Sequence, residues 1–236
     1  YGVEAYLVDD LKDMIVNPKG QHLNDRYVVF DLETTGFSAK SDKIIEIGAV
    51  KVENGKIIDR FSTFVNPEIP IPFRIEKLTS INDEMVIDAP KIEEILPKFM
   101  EFCKDSVMVA HNSDFDMSFI EANCKRQDLE CDFTVIDTVA MSRYLIIGLG
   151  RYKLDNVAKA LGIVLDHHHR AVDDAECTAL IFLKLCKMLE GKGIDNLDEL
   201  NRQGKQSKNL IDKLPAYHAI ILVKNQVGRV NLYKLI

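Results

Sequence analysis

Apolar residues in this chain recur with two different periods, and the change between them lays out the elements. Tyr27-Val28-Val29-Phe30-Asp31-Leu32-Glu33 is rich in β-favouring residues and ends in Thr34-Thr35-Gly36, which predicts a strand over 27–33 closed by a tight turn. Ile44 to Val52 predicts a second strand, Asn54-Gly55 a hairpin turn, and Ile57 to Val65 the returning third strand. Residues 66–73 carry three prolines and read as a loop. Beyond it the period lengthens: Ile92, Ile95, Leu96, Phe99 and Cys103 fall on one face of a helix. Val107 to Ala110 is a short buried strand. It feeds a turn at His111-Asn112-Ser113-Asp114 and a helix from Phe115 to about Lys125.

Thr134 to Ile136 predicts one more strand, and Asp137–Tyr144 and Leu154–Leu161 two more helices, the second stopped by Gly162. Asp173 to Leu189 is a long amphipathic helix ended by Gly191. Ahead of the body, residues 3–8 read as a short strand and 10–16 as a short helix. Behind it, 192–212 reads as a polar helix with a flexible connection, and 217–236 is apolar and strand-like. A strand hairpin followed by helices alternating with short strands predicts an α/β fold with a mixed sheet flanked by helices.

Composition narrows the class. With 236 residues, 47% hydrophobic and 28% charged, the chain has the make-up of a soluble protein with one sizeable core and appendages. No apolar run approaches the ~20 residues that span a membrane, and no basic segment followed by an apolar stretch marks a secretion signal. The cysteines at 103, 124, 131, 177 and 186 form no Cys-x-x-Cys pair and read as reduced, mostly buried thiols of a cytoplasmic protein. A net charge of −7 argues against nucleic acid unless the acids gather round a cation. Basic residues do group locally, at Lys40 and Lys43, at Arg143, Arg151 and Lys153, and at Arg202, Lys205 and Lys208.

The acids are where the chemistry lies. Side chains alternate along a strand, so Asp31 and Glu33 point the same way. Two carboxylates side by side at the end of a buried strand repel, and a hard divalent cation with oxygen ligands is the simplest remedy. Two solvated acids at a strand end are the plainer alternative, against which the preceding Val-Val-Phe argues burial. Further acids stand at Asp114 and Asp116, in the first turn of a predicted helix, and at Asp173 and Asp174, at the start of another. Stabilising a helix dipole accounts for such positions in general, though not obviously for Asp174. If Asp31, Glu33, Asp116 and Asp174 converge in one cleft, they would hold two divalent ions in the arrangement used for in-line phosphoryl displacement. One ion would activate a water and the other stabilise the leaving oxygen. A histidine beside that water would take its proton.

At these residues the chain resembles the DEDDh family of 3′→5′ exonucleases. Asp31-Leu32-Glu33-Thr34-Thr35-Gly36 matches the family's first motif and His111-Asn112-x-x-Phe115-Asp116 its second. His169, four residues, then Asp174-Ala175 matches the third. The resemblance covers about residues 25–190. It selects Asp116 over Asp114 and Asp174 over Asp173, and it implies a ribonuclease-H-like mixed sheet of five strands. It further implies Asp31, Glu33, Asp116 and Asp174 as ligands of two Mg²⁺ or Mn²⁺ ions, and His169 as general base. Thr34, Thr35, His111 and Phe115 would help to seat the terminal nucleotide, and nucleoside 5′-monophosphates would be released. The sister group's tyrosine signature fails here, because Asn156 stands where Tyr152 would need an aspartate. Asp155 then reads as a helix cap, Asp137 as structural, and His167 and His168 as loop residues.

Tyr217 to Tyr233 is similar to part of the polymerase and histidinol phosphatase domain of bacterial replicative polymerases, and Gly2 to Asp10 to the sequence upstream of it. In polymerases of the PolC type the exonuclease is inserted within that domain. The organisation expected is therefore a host segment at 1–24, the exonuclease at 25–192, a helical linker at 193–212 and a host segment at 213–236. The expected partners are a single-stranded or frayed DNA 3′ end and the remainder of a replicative polymerase. An RNA 3′-end trimmer and a non-catalytic module that keeps the fold are the rival readings.

Overall fold

A computed structural model of the chain describes residues 13–23, 25–164 and 170–203. Its centre is a strand meander. β2 (Tyr27–Thr34), β3 (Ile44–Glu53) and β4 (Lys56–Phe64) pair antiparallel in sequence order; β1 (Ile15–Val16) precedes them. Asn54 and Gly55 join β3 to β4 with φ values of 52° and 72°, the doubly left-handed geometry that suits the twist of a two-residue hairpin. On the other side of β2 lie β5 (Val107–Ala110) and then β6 (Val135–Asp137), both parallel to it. β1 pairs antiparallel with β6, so the order is β1-β6-β5-β2-β3-β4.

The five expected strands are present, and the sheet has six because of β1. This corrects the helix expected over 10–16, as far as its described residues go. Ile15 and Val16 are β-branched, and they alternate as a half-buried edge strand does, Ile15 buried and Val16 exposed.

Helices cover both faces. α3 (Ile92–Cys103) and α4 (Ser113–Arg126) pack on the face that carries Val28, Phe30 and Leu32 of β2. α5 (Thr138–Leu145), α6 (Leu154–Ala160) and α7 (Ala171–Glu190) pack on the opposite face, with Tyr27 and Val29. Two short helices, α1 (Phe73–Thr79) and α2 (Asp83–Val86), had no counterpart in the sequence reading. They bury Ile75 and Val86 against Ile45 in a small satellite cluster, with too few turns for a periodic signal to emerge. Asp155 sits in the first turn of α6 rather than at its cap, which is Lys153. Among the described residues, no helix is long and apolar enough to cross a membrane.

The packed unit is wider than the boundaries expected at 25 and 192. Leu23 donates its amide to the Asp195 carbonyl at 2.9 Å, and Leu197 donates to that of Gln21 at 3.0 Å. Met14, Ile15 and Leu23 share the α7-side core with Ile194, Leu197 and Leu200. The segments entering and leaving this sheet-and-helix unit therefore run beside each other and complete its core. The strands expected at 3–8 and 217–236 lie outside the described residues.

Because Leu197 is fully buried, Leu197→Ala should destabilise the protein by ~2–5 kcal/mol in urea unfolding. A cost below ~0.5 kcal/mol, as for a surface linker, would show that residues 194–200 do not belong to the core.

Candidate metal centre

The alternation of β2 sets the centre. Val28, Phe30 and Leu32 face α3 and α4, so Asp31 and Glu33 face the α7 side, continuing the line of Tyr27 and Val29. Asp31 pairs in register with Gly48 on β3, and Glu33 with Glu46. α7 begins directly over Gly48: a Cβ there would lie 2.0 Å from the Val172 amide nitrogen and 2.1 Å from the Ala171 carbonyl carbon. Only glycine leaves room for that approach. On α7, Asp174 falls on the stripe that continues through Cys177, Thr178 and Ile181 into the core, so it points at the sheet. Oxygens of Asp31, Glu33 and Asp174 consequently come within 4.8 Å of one another, all three side chains half-buried.

Asp116 arrives from the other side of the sheet. It occupies the first turn of α4, is 3% exposed, and its Oδ1 accepts from the Leu32 amide at 3.2 Å, between the two β2 acids. Asp114 is exposed. The start of α4 is fixed by buried Asp137, whose Oδ1 accepts from the amides of Asn112 at 3.2 Å and Val139 at 2.8 Å, so Asp137 is structural as expected.

Acid lies beside acid at the centre. Burial, and then the neighbouring charges of Asp116, Glu33, Asp174 and Glu46, push the Asp31 carboxyl well above the usual range. Burial also pushes Asp116 well up, against the opposing hydrogen bond from the Leu32 amide. Burial, Asp174 and Glu46 push Glu33 up to about 7. Among the described residues, the charges that push Asp31 and Glu33 up are those of other acids. Oxygen donors gathered this closely and desolvated fit a hard divalent metal.

The other expected residues are placed as follows. The Thr34 hydroxyl donates to the Gly36 carbonyl at 2.6 Å, and Thr35 Oγ1 accepts from the Lys43 amide at 2.9 Å, so both hydroxyls brace the turn after β2. His111 uses both ring nitrogens, Nδ1 with Thr138 Oγ1 and Nε2 with the Tyr152 carbonyl, each at 2.9 Å. Burial pushes its imidazole below the ordinary value. Any part His111 takes in seating a nucleotide thus runs through the wall it holds. The Phe115 ring lies 6.3 Å from that of Phe37, which is 72% exposed, and 5.2 Å from that of Phe119. His167, His168 and His169 lie outside the described residues.

Sequence reasoning missed Glu46, Gly48, Arg170 and Phe37. Glu46 left a signal, an acid inside the apolar run Ile44-Ile45-Glu46-Ile47. In the structure it is fully buried, and its Oε1 accepts from Arg170 Nε at 2.8 Å.

A family model described as Exonuclease matches residues 28–182. This chain belongs to the exonuclease family. It is 50% identical over 236 residues to the DNA polymerase III PolC-type of Caldanaerobacter subterraneus subsp. tengcongensis, covering all of this chain and 17% of that relative. The chain thus spans about a sixth of the length of the curated relatives it matches. Among solved structures it is similar to Exonuclease X in complex with 5′-overhanging duplex DNA, at 29% identity and a TM-score of 0.55 over 71% of this chain and 93% of that one. The fold is also that of the nuclease domain of 3′hExo, a DEDDh-family member bound to rAMP, at 22% identity and a TM-score of 0.61 over 70% of this chain and 92% of that one. These likenesses bear out the α/β ribonuclease-H-like class of the exonuclease.

A carboxyl that holds its proton more tightly folded than unfolded makes folding take up protons. Glu33 therefore weighs against the metal-free fold progressively as pH rises from its ordinary value near 4.5 to its folded value of about 7. In EDTA, the melting temperature should fall as pH rises through that window, and Glu33→Gln should flatten the fall. Saturating Mg²⁺ or Mn²⁺ should raise the melting temperature most at the alkaline end. A metal effect that is absent, or equal at pH 5 and pH 8, would count against the centre.

Proposed function

We propose that this chain is a metal-dependent 3′→5′ DNA exonuclease that proofreads within a PolC-type replicative polymerase in the cytoplasm. The observation that carries the reading is the convergence of Asp31, Glu33 and Asp174, from β2 and α7, with Asp116 reaching the same strand from α4. Two divalent ions, Mg²⁺ or Mn²⁺, bound by these four carboxylates would supply an activated water and offset charge on the phosphodiester. His169 accepts the proton of the attacking water; its distance in sequence from Asp174 is the support for that role. Attack on the terminal phosphorus breaks its bond to the 3′ oxygen of the penultimate nucleotide and releases a nucleoside 5′-monophosphate. Thr34 and Thr35 shape the turn beside the phosphate, and Phe115 with the exposed Phe37 offers aromatic surface to the terminal base. His111 keeps the adjoining wall in place.

The PolC-type relative and the DNA-bound Exonuclease X support DNA as substrate. The side-by-side entry and exit segments at Leu23 and Asp195 support a domain inserted in a longer polymerase, with 1–12 and 213–236 as segments of the host.

The test is incubation with 3′-labelled single-stranded DNA and RNA, with and without Mg²⁺. The reading expects metal-dependent release of mononucleotides from DNA. Preferential degradation of RNA would make the chain an RNA 3′-end trimmer, and no hydrolysis of either would make it a non-catalytic module. Asp31→Ala and Asp174→Ala should abolish hydrolysis with the fold intact. His169→Ala should slow it ~10²–10⁴-fold, and His168→Ala should be far milder. Near wild-type cutting by either aspartate variant, or equal damage at His168, would refute the assigned roles.

A further inference from the structure

Glu46 is a fully buried acid on β3, opposite Glu33 in the register, and is none of the proposed ligands. Both its oxygens are committed to the start of α7. Oε1 accepts from Arg170 Nε at 2.8 Å and lies 2.7 Å from an Arg170 terminal nitrogen, and Oε2 accepts from the Ala171 amide at 3.1 Å. The Arg170 guanidinium also stacks over the Phe64 ring of β4, 4.7 Å from its centroid. From Arg170 the link passes to the ligand, because its carbonyl accepts from the amide of Asp174 at 3.1 Å. The same carboxylate therefore lies across the ladder from one acid of the centre and anchors the residue that holds the backbone of another.

We infer that Glu46 is a positioning residue: with Arg170 it locks the first turn of α7 onto β3 and so sets the distance of Asp174 from Asp31 and Glu33. A carboxylate with one oxygen held by two guanidinium nitrogens and the other by a backbone amide has few alternative geometries. The clamp is needed because the carboxylates on β2 and α7 repel, and α7 would otherwise drift off Gly48 until they separated. This inference rests on the metal-dependent exonuclease reading of the same centre.

Positioning and plain electrostatics predict different signs, and the full 236-residue chain titrated with Mn²⁺ alone, without DNA, separates them. Glu46→Gln keeps the shape and an oxygen for the Ala171 amide but loses the ion pair. Arg170→Gln loses the pair from its half-exposed side. If Glu46 positions Asp174, both variants weaken Mn²⁺ binding about 10–100-fold, as loss of an outer partner does at metal sites. On DNA, kcat should fall in both while KM changes less than about 3-fold. If Glu46 acts only as one more negative charge, Glu46→Gln weakens Mn²⁺ and Arg170→Gln strengthens it, which overturns the inference. Unchanged Mn²⁺ affinity in Arg170→Gln overturns it as well, even if Glu46→Gln fails to fold. A wild-type chain that binds Mn²⁺ yet cuts no nucleic acid would sink the exonuclease reading and leave the clamp standing. A wild-type chain that binds no Mn²⁺ would overturn the metal centre itself.

Discussion

Repulsion between carboxylates is the constraint that organises this protein around its centre. Asp31, Glu33 and Asp174 bring oxygens within 4.8 Å of one another, and burial and mutual charge raise the proton affinity of both β2 acids. A chain that merely tolerated such a cluster would relax it by turning side chains to solvent. Here relaxation is blocked from three sides. The pleat of β2 fixes the direction of two acids, the Leu32 amide holds Asp116, and the packing of α7 on the sheet fixes Asp174. The cost of holding the acids together is met by the two cores that flank β2.

Those cores explain how one strand serves both stability and chemistry. β2 is covered on both faces, and Val28, Val29 and Phe30 are completely buried. Near its C-terminal end the α7-side positions change from apolar to acidic, while Leu32 on the other face stays in the α3–α4 core. The strand thus remains anchored through one face while the other becomes a site. Gly48 extends the same logic to β3. Its missing side chain lets α7 lie almost on the backbone of the sheet, turning a helix–sheet contact into a distance between carboxylates.

Much of this was legible in the amino-acid order. The meander, the Asn54-Gly55 hairpin and helices α3 to α7 follow from periods that burial imposes and that can be read without coordinates. Asp31 and Glu33 were legible because a two-residue spacing on a strand leaves no freedom of direction. Asp116 and Asp174 were separated from Asp114 and Asp173 by motif resemblance, because each pair sits in one helical turn. At α4 the two differ in place: Asp116 is buried against Leu32 and Asp114 is exposed. What stayed hidden depends on approach between distant segments. Nothing local says that Glu46 will meet Arg170, 124 residues away, or that Gly48 lies under α7. The edge strand β1 was hidden for the same reason, since two residues acquire a strand's identity only from the partner they pair with.

The entry and exit of the fold belong to the same economy of packing. Residues 13–23 add β1 beyond β6 and bury Met14 and Ile15, and residues 194–200 add Ile194, Leu197 and Leu200 to the same core. These two segments are joined to each other by the Leu23–Asp195 and Gln21–Leu197 backbone bonds. A tie of this kind closes the nuclease fold at its base, at the β1–β6 edge of the sheet, whereas the carboxylates lie at the far end of β2 and the start of α7. In a longer chain, strain arriving through either segment would be shared across that tie before it reached α7. Movement between β2 and α7 would change the spacing of their carboxylates, and a fold whose two ends are fastened to each other is mechanically suited to resist it.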